Sequence, residues 1–154
     1  MKKIFKTKKA MVIGAGGGHL TEALLATESL IIPRVIVTFK LPHTSISLKD
    51  EVCYFVVDPH KNLLKFFFNA IQSLILVVKI RPCVVINTGG GISIACSLCA
   101  KLLGAKLVFI ESGARVITPS RTGKFLYRFS DLFIVQWSNL LQYYPNAVYG
   151  GVLI

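Results

Sequence analysis

An apolar run, Met11-Val12-Ile13, breaks at Gly14-Ala15-Gly16-Gly17-Gly18-His19 and passes straight into the helical pattern Leu20-Thr21-Glu22-Ala23-Leu24-Leu25-Ala26. The same grammar returns later: Cys83-Val84-Val85-Ile86-Asn87, then Thr88-Gly89-Gly90-Gly91, then Ile92-Ser93-Ile94-Ala95. A strand that turns through glycine into a helix aims free backbone N–H groups at whatever lies above the sheet, an arrangement suited to phosphate or pyrophosphate. Two such loops at the carboxyl ends of two strands place a binding site along one edge of an α/β sheet. One glycine loop also serves a plain turn; the repeated setting is what points to an anionic ligand.

Strand-like runs recur at 10–13, 34–39, 52–57, 83–87, 106–110 and 132–135, separated mostly by helical stretches at 20–30, 63–80, 92–103 and about 123–130. The strands are continuously apolar rather than alternating, as in a parallel sheet covered on both faces. The expectation is one Rossmann-like, doubly wound α/β domain over 1–154, with a loop at 40–51 and no internal repeats.

Eighteen basic against seven acidic residues give a net charge of +11 on a chain that is 53% hydrophobic. Such a chain suits an anionic membrane surface, each nearby Lys or Arg adding roughly 1 kcal/mol. Nucleic acid is the competing reading of the charge, but the basic residues are scattered without a clustered basic–aromatic motif, so no nucleic-acid partner is expected. The basic arm 1–9 carries Lys2, Lys3, Lys6, Lys8 and Lys9 without the apolar core of a secretory signal. It reads either as a solvated tail or as an arm lying on anionic lipid. Cys96 and Cys99 form a C-x-x-C inside an apolar helix, where thiols fill a core rather than do redox work. Reduced thiols fit the cytoplasmic side of a membrane. No metal site is expected.

In the segment 63–80 the polar residues Lys65, Asn69, Gln72, Ser73 and Lys79 fall within a stripe of about 120°, leaving about 240° apolar. Spanning a bilayer takes about 20 mostly apolar residues, and this run is slightly short and charged near its ends. A helix packed on the sheet uses about half of that apolar face; Phe66, Phe67, Ile71 and Leu74 are then candidates for in-plane membrane or partner contact. Full burial is the alternative.

Gly14-x-Gly16-x-x-His19 departs from the dinucleotide fingerprint at its last position, and the second strand ends Val37-Thr38-Phe39-Lys40 without the ribose-binding acid. No GK[ST] or G-x-S-x-G follows any loop. His19 stands where it would face a phosphate, act as a base near neutral pH, or bond to backbone at the helix start.

The runs Val12-Ile13-Gly14-Ala15-Gly16-Gly17-Gly18-His19, Asn87-Thr88-Gly89-Gly90-Gly91 and Phe109-Ile110-Glu111-Ser112-Gly113-Ala114-Arg115-Val116, with the ending Tyr143-Tyr144-Pro145-Asn146-Ala147-Val148-Tyr149-Gly150-Gly151, resemble one subunit family. It comprises the membrane-anchoring subunit of the two-chain N-acetylglucosaminyltransferase of asparagine-linked glycosylation, with bacterial relatives in capsule and exopolysaccharide synthesis. More distantly the chain is similar to the N-terminal half of the transferase that makes the final lipid-linked peptidoglycan precursor. The resemblance implies the N-terminal lobe of a two-lobed (GT-B) glycosyltransferase. This lobe would hold a polyprenyl-pyrophosphate-linked sugar and recruit a catalytic partner chain to the cytoplasmic face of the membrane. The partner binds the UDP-sugar donor, no cofactor is needed, and the chain is expected to be inactive alone.

Within that frame Gly14, Gly16, Gly17, Gly18, Thr88, Gly89, Gly90 and Gly91 would cradle the acceptor's pyrophosphate, with Arg115 adding a charge-assisted contact. His19 and Glu111 are the candidate catalytic residues, although an ion pair between Glu111 and Arg115 is an equal reading. The tail 137–154 would dock the partner through Tyr149, Gly150, Gly151 and Leu153, or lie on its own domain as a final strand or wrapped tail. Anchoring is expected to rest on the Lys-rich arm and the 63–80 face. Two rival readings stay open: a self-sufficient small nucleotide-dependent enzyme, and a basic nucleic-acid-binding module.

Overall fold

Strands apolar on both faces need cover on both, and the chain supplies it by alternating strand and helix around one parallel sheet. The computed structural model describes residues 8–41, 48 and 51–153. Its strands are β1 (Ala10–Ile13), β2 (Arg34–Thr38), β3 (Cys53–Phe55), β4 (Val84–Asn87), β5 (Lys106–Ile110), β6 (Leu132–Val135) and β7 (Val148–Tyr149). They lie in the order β3-β2-β1-β4-β5-β6-β7, and every neighbouring pair is parallel. Strand β1, inside the sheet between β2 and β4, is completely buried.

The chain winds outward from β1 to β3, then crosses back to start again at β4. Between β1 and β4 the winding reverses, and in an open α/β sheet that reversal leaves a crevice above the strand ends. Both glycine loops leave the sheet there. The helices are α1 (Gly18–Ala26), α2 (Leu63–Ile80), α3 (Ser93–Leu102) and α4 (Arg121–Leu126), with 3₁₀ turns at Tyr127–Phe129 and Ser138–Gln142. On one face Leu20 and Ala23 of α1 pack on Val12, Ile36 and Leu48. On the other, Val77 and Ile80 of α2 and Cys96 and Ala100 of α3 meet Met11, Ile13, Val35 and Val85. A third cluster joins Phe109, Phe133 and Val135 to Leu126, Leu140 and Tyr144.

The strands expected at 10–13, 106–110 and 132–135 and the helix at 63–80 have those bounds; β2 and β3 are shorter. The first helix starts at Gly18, two residues early, because glycine tolerates a helix start that nothing else caps. The last starts at Arg121, where the Ser120 hydroxyl accepts the Gly123 N–H at 2.8 Å. The two-residue strand β7 is too short to show a period. Lys2, Lys3 and Lys6 of the basic arm and most of the 40–51 loop lie outside the described residues.

Helix α2 leaves Phe66, Phe67, Ile71 and Leu74 outside, but its polar stripe is inverted to face inward. Asn69 and Ser73 face inward with Val77 and Ile80, while Leu64, Phe67, Phe68, Leu74, Ile75 and Val78 stand exposed. The inversion has a local cause. The Asn69 amide donates to the Val57 carbonyl at 2.8 Å, and the Val57 N–H donates to Gln72 Oε1 at 2.8 Å. Here the polar stripe satisfies the backbone beyond β3, which has no further strand beside it. The apolar aromatic face is left outside, on a helix long and apolar enough to cross a membrane.

Cys96 is buried against Met11, and burial pushes its thiol up to about 12. It is core-filling and inert, as the C-x-x-C placement implies. Asp131 closes the opposite end of the sheet from the crevice. Its carboxylate accepts the Leu107 N–H at 2.8 Å and the ammonium groups of Lys101 and Lys106. The Lys101 contact and the Leu107 amide hold this carboxyl well below the ordinary range. Asp131→Ala should therefore lower stability by about 1–2 kcal/mol in urea unfolding. A folded pKa below the unfolded one means the contribution is full above the ordinary carboxylate range and fades as pH falls through the folded value. The gap between wild type and Asp131→Ala should then close in acid; a pH-independent gap would contradict the assignment.

Candidate functional site

The crevice is built by two glycine loops in backbone contact. The Ala15 N–H donates to the Gly89 carbonyl at 3.3 Å, and the Gly14 N–H to Val37 at 3.3 Å. Thr88 is turned inward: its N–H donates to the Ile13 carbonyl at 3.1 Å, and its hydroxyl to the His19 carbonyl at 2.6 Å. The Gly89 N–H donates to Asn87 Oδ1 at 2.7 Å, and the Asn87 amide to the Ser97 hydroxyl at 2.8 Å. Gly90 has φ 93°, and a Cβ there would lie 2.3 Å from that of Ala15. Only glycine closes the loops to this distance.

The expected cradle is smaller than the glycine pattern suggests. The N–H groups of Gly14, Thr88 and Gly89 are engaged inside the scaffold, so these residues shape the site rather than face a ligand. Among the described residues the amides of Gly16, Gly17, Gly18 and His19, and of Gly90 and Gly91, donate to no protein acceptor. Those amides stand at the start of α1 and in the second loop, on either side of the crevice.

Two cavities adjoin there. One, of about 430 Å³, is lined by His19, Gly90, Arg115, Ser120, Arg121 and Lys124. It is polar and carries three permanent cations, with no acid among its described lining residues. The other, of about 850 Å³, runs past Ala15, Phe39, Pro59 and Ile94 to Leu63 and Phe66 at the start of α2. Its wall is mainly apolar. Arg121 belongs to both, and Gly90 and Gly91 place the second loop at their junction.

Arg115 stands in the cationic cavity, as its position beyond β5 suggests. Glu111 does not join it. That side chain is 1% exposed. Its Oε2 accepts the Ser120 N–H and hydroxyl, each at 3.1 Å, and the Tyr144 hydroxyl at 2.9 Å. Its Oε1 accepts the Ser112 N–H at 3.0 Å. Burial, then the Glu111 charge, push the Tyr144 hydroxyl far above its ordinary range. The carboxylate therefore neither pairs with Arg115 nor reaches the crevice. It anchors the loop that carries Arg115 and, through Ser120, the start of α4 with Arg121 and Lys124. The run Glu-Ser-x-Ala-Arg-Val marks the position in the sequence, but not which way the acid points.

His19 is the second residue of α1, with its ring against Gly89; a Cβ at Gly89 would meet Cε1 at 3.2 Å. Sequence reasoning passed over Glu22, one turn further on and buried. Its Oε1 accepts the Gly113 N–H at 2.7 Å, the Ser112 hydroxyl at 3.3 Å and the Gln136 amide at 3.3 Å. Burial opposes its charge, yet the His19 side chain, the Gly113 N–H and Gln136 hold its carboxyl below the ordinary value. A lone acid in an apolar helix, spaced i+3 from a histidine, was the available signal.

Of the tail, Leu140 and Tyr144 are core residues and the Trp137 indole donates to the Gly113 carbonyl at 2.6 Å, so 137–147 is part of the domain. The stretch 148–153 is the outer edge. Val148 and Tyr149 pair with β6, the Gly150 N–H donates to Val135 at 3.0 Å, and the Leu153 N–H to Gln136 Oε1 at 2.8 Å. Tyr149 and Gly150 are exposed, while Gly151 and Leu153 are half-buried. Phe66, Phe67, Ile71 and Leu74 are all on the outward face of α2.

Residues 58–153 match the family described as oligosaccharide biosynthesis protein Alg14 like. The chain belongs to this family. The human UDP-N-acetylglucosamine transferase subunit ALG14 is 27% identical over 177 aligned positions, covering 94% of this chain and 82% of the human one. The mouse subunit of that name is 38% identical over 94 residues, and this chain spans 57% of itself and 43% of that relative in the match. The Candida albicans subunit is 40% identical over 98 residues, with 60% and 43% covered.

Among solved structures, MurG from Acinetobacter baumannii superposes with a TM-score of 0.73 at 19% identity, over 86% of this chain and 42% of that one. UDP-N-acetylglucosamine 2-epimerase from Rickettsia bellii gives 0.76 at 13%, over 96% and 45%. These likenesses concern the fold: a single doubly wound parallel sheet equivalent to one lobe of a GT-B protein.

The glycine geometry makes a stability prediction. Gly90→Val meets Ala15 and requires a left-handed backbone, so it should cost about 3 kcal/mol or more. A Cβ on Gly18 meets nothing within 4 Å and its φ is ordinary; Gly18→Leu should stay within about 0.5 kcal/mol of wild type. Thermal melts followed by circular dichroism check both, and equal losses would contradict the loop packing.

Proposed function

We propose that this chain is the acceptor-holding subunit of a two-chain glycosyltransferase, which moves a sugar from a UDP-sugar onto a polyprenyl-pyrophosphate-linked sugar. One observation carries the reading: the cationic cavity and the apolar cleft meet at Arg121 beside the free amides of the glycine loops. A lipid pyrophosphate is anionic at one end and apolar at the other, and the two cavities divide along the same line. The free amides of Gly16, Gly17, Gly18, Gly90 and Gly91 supply oriented donors, and Arg115, Arg121 and Lys124 supply the countercharge. The prenyl chain would leave past Phe39 and Ile94 toward Phe66.

His19 lies on the wall of the anion cavity and is the candidate base. It would take the proton of the acceptor hydroxyl at a ring nitrogen while that oxygen attacks the sugar carbon and UDP departs. The donor is assigned to a catalytic partner chain docked at Tyr149, Gly150, Gly151 and Leu153. The bacterial resemblance supports capsule or exopolysaccharide assembly as the setting. The outward face of α2, with Phe66, Phe67, Ile71 and Leu74, would lie in the cytoplasmic face of the membrane, and the net charge of +11 suits anionic lipid. The free thiols of Cys53, Cys83, Cys96 and Cys99 suit that compartment.

The reading is tested by sugar transfer in membranes holding this chain, its partner, or both. Transfer only in the combined sample is expected; transfer by this chain alone would overturn the division of roles. In the active pair Arg121→Ala should raise the acceptor KM about 10–100-fold, as expected for a lost charge-assisted contact of 1.5–3 kcal/mol, with the donor KM unchanged. The membrane reading is checked separately. Phe67→Asp combined with Ile75→Asp should abolish flotation with anionic vesicles while leaving the far-ultraviolet spectrum intact, and undiminished flotation would contradict it.

A further inference from the structure

The unused feature of this site is a pair of buried polar atoms with no hydrogen-bond partner: Nδ1 of His19 and Oε2 of Glu22. They face each other at 3.8 Å across one turn of α1. The other oxygen of Glu22 is tied to Gly113, Ser112 and Gln136, three groups from outside the helix. Gln136 is itself fixed, donating also to the Glu111 carbonyl at 3.1 Å and accepting the Leu153 N–H at 2.8 Å. The carboxylate is thus held in place from the segments that follow β5 and β6, not by the helix that carries it.

The ring is constrained from its other sides. Gly89 lies against Cε1, and the Nδ1 edge is shielded while the side chain as a whole is 33% exposed. The accessible part is therefore the opposite edge, which carries Nε2. The cavity that His19 lines also carries Arg115 from the β5 loop and Arg121 and Lys124 from α4, with no acid among its described lining residues. An anion beside one nitrogen and cations in the cavity polarise a neutral imidazole in one direction. The proton belongs on Nδ1, toward Glu22, and the lone pair on Nε2, toward the cavity.

We propose that Glu22 is a positioning residue that holds His19 as the Nδ1–H tautomer, so that Nε2 faces the acceptor as a proton acceptor. When Nε2 takes a proton the ring becomes a cation, and the carboxylate 3.8 Å away stabilises it. Removing the charge of Glu22 would leave the anion site standing but its base misdirected. The catalytic part of this inference rests on the acceptor reading above; the tautomer does not.

Nitrogen-15 histidine spectra of the full chain in nanodiscs, recorded at about pH 8.5 where an ordinary histidine is neutral, test it directly. Wild type is expected to show His19 as Nδ1–H, and Glu22→Gln to move it toward Nε2–H. An Nε2–H tautomer in wild type overturns the proposal without any variant needing to fold, and so does a tautomer unmoved by Glu22→Gln. With the partner present, Glu22→Gln should lower kcat at least about tenfold with the acceptor KM within about twofold, the pattern of an interaction made in the transition state. A KM effect alone would make Glu22 a scaffold residue and overturn the positioning role. A wild-type pair that transfers no sugar would sink the acceptor reading, and the tautomer would still decide what Glu22 does.

Discussion

The contact between Ala15 and the Gly89–Gly90 backbone is the constraint on which the rest of the crevice depends. Parallel strands β1 and β4 would bring their following loops together in any doubly wound sheet, but side chains normally keep such loops apart. Here one loop donates an amide to the other, and Gly90 gives up its side chain to Ala15. The consequence is directional. The amides of Gly14, Ala15, Thr88 and Gly89 become scaffold, and those of Gly16, Gly17, Gly18, Gly90 and Gly91 are left without a protein acceptor among the described residues. The start of α1 and the second loop therefore carry the free donors, with the His19 ring lying against Gly89.

Buried carboxylates supply the second level of organisation. Glu111 and Glu22 each lie beneath the crevice and each collects hydrogen bonds from segments distant in sequence. Glu111 fixes the loop after β5 and the start of α4, which carry the cations, and Glu22 joins α1 to that same loop and to Gln136. Charges this deeply placed need such partners, and Glu111 has them at both oxygens while Glu22 has them at Oε1. The geometry of the cationic cavity is thereby coupled to core packing through Tyr144 and to the segment beyond β7 through Leu153. Substitutions far from the crevice, in the third hydrophobic cluster, should be felt at Arg115 and Arg121 for this reason.

Much of this architecture is readable from residue patterns, and the failures have physical causes. Continuous apolar runs marked the strands because a parallel sheet hides both faces, and glycine clusters marked the switch point because close loops exclude side chains. Periodicity could also size the apolar face of α2, but not orient it. Asn69 and Gln72 turned inward to satisfy the backbone beside β3, a demand set by a neighbour absent from the helix's own sequence. Similarly, Glu111 and Arg115 share a turn-like spacing that suggests an ion pair, while the serine and tyrosine that capture Glu111 come from further along the chain. Glu22 escaped notice because its partners, Gly113 and Gln136, lie about ninety and more than a hundred positions away. What local pattern cannot show is which distant polar group completes a buried one.

The central claim is that this lobe holds the lipid-linked acceptor and not the nucleotide sugar. Equilibrium binding to the chain alone, reconstituted in phosphatidylcholine nanodiscs, addresses it most directly. A polyprenyl-pyrophosphate-linked sugar and a UDP-sugar would be titrated in parallel against wild type and Gly18→Leu. The account predicts saturable acceptor binding that Gly18→Leu weakens, with no saturation by the UDP-sugar. Tight UDP-sugar binding with an indifferent response to the lipid would contradict it.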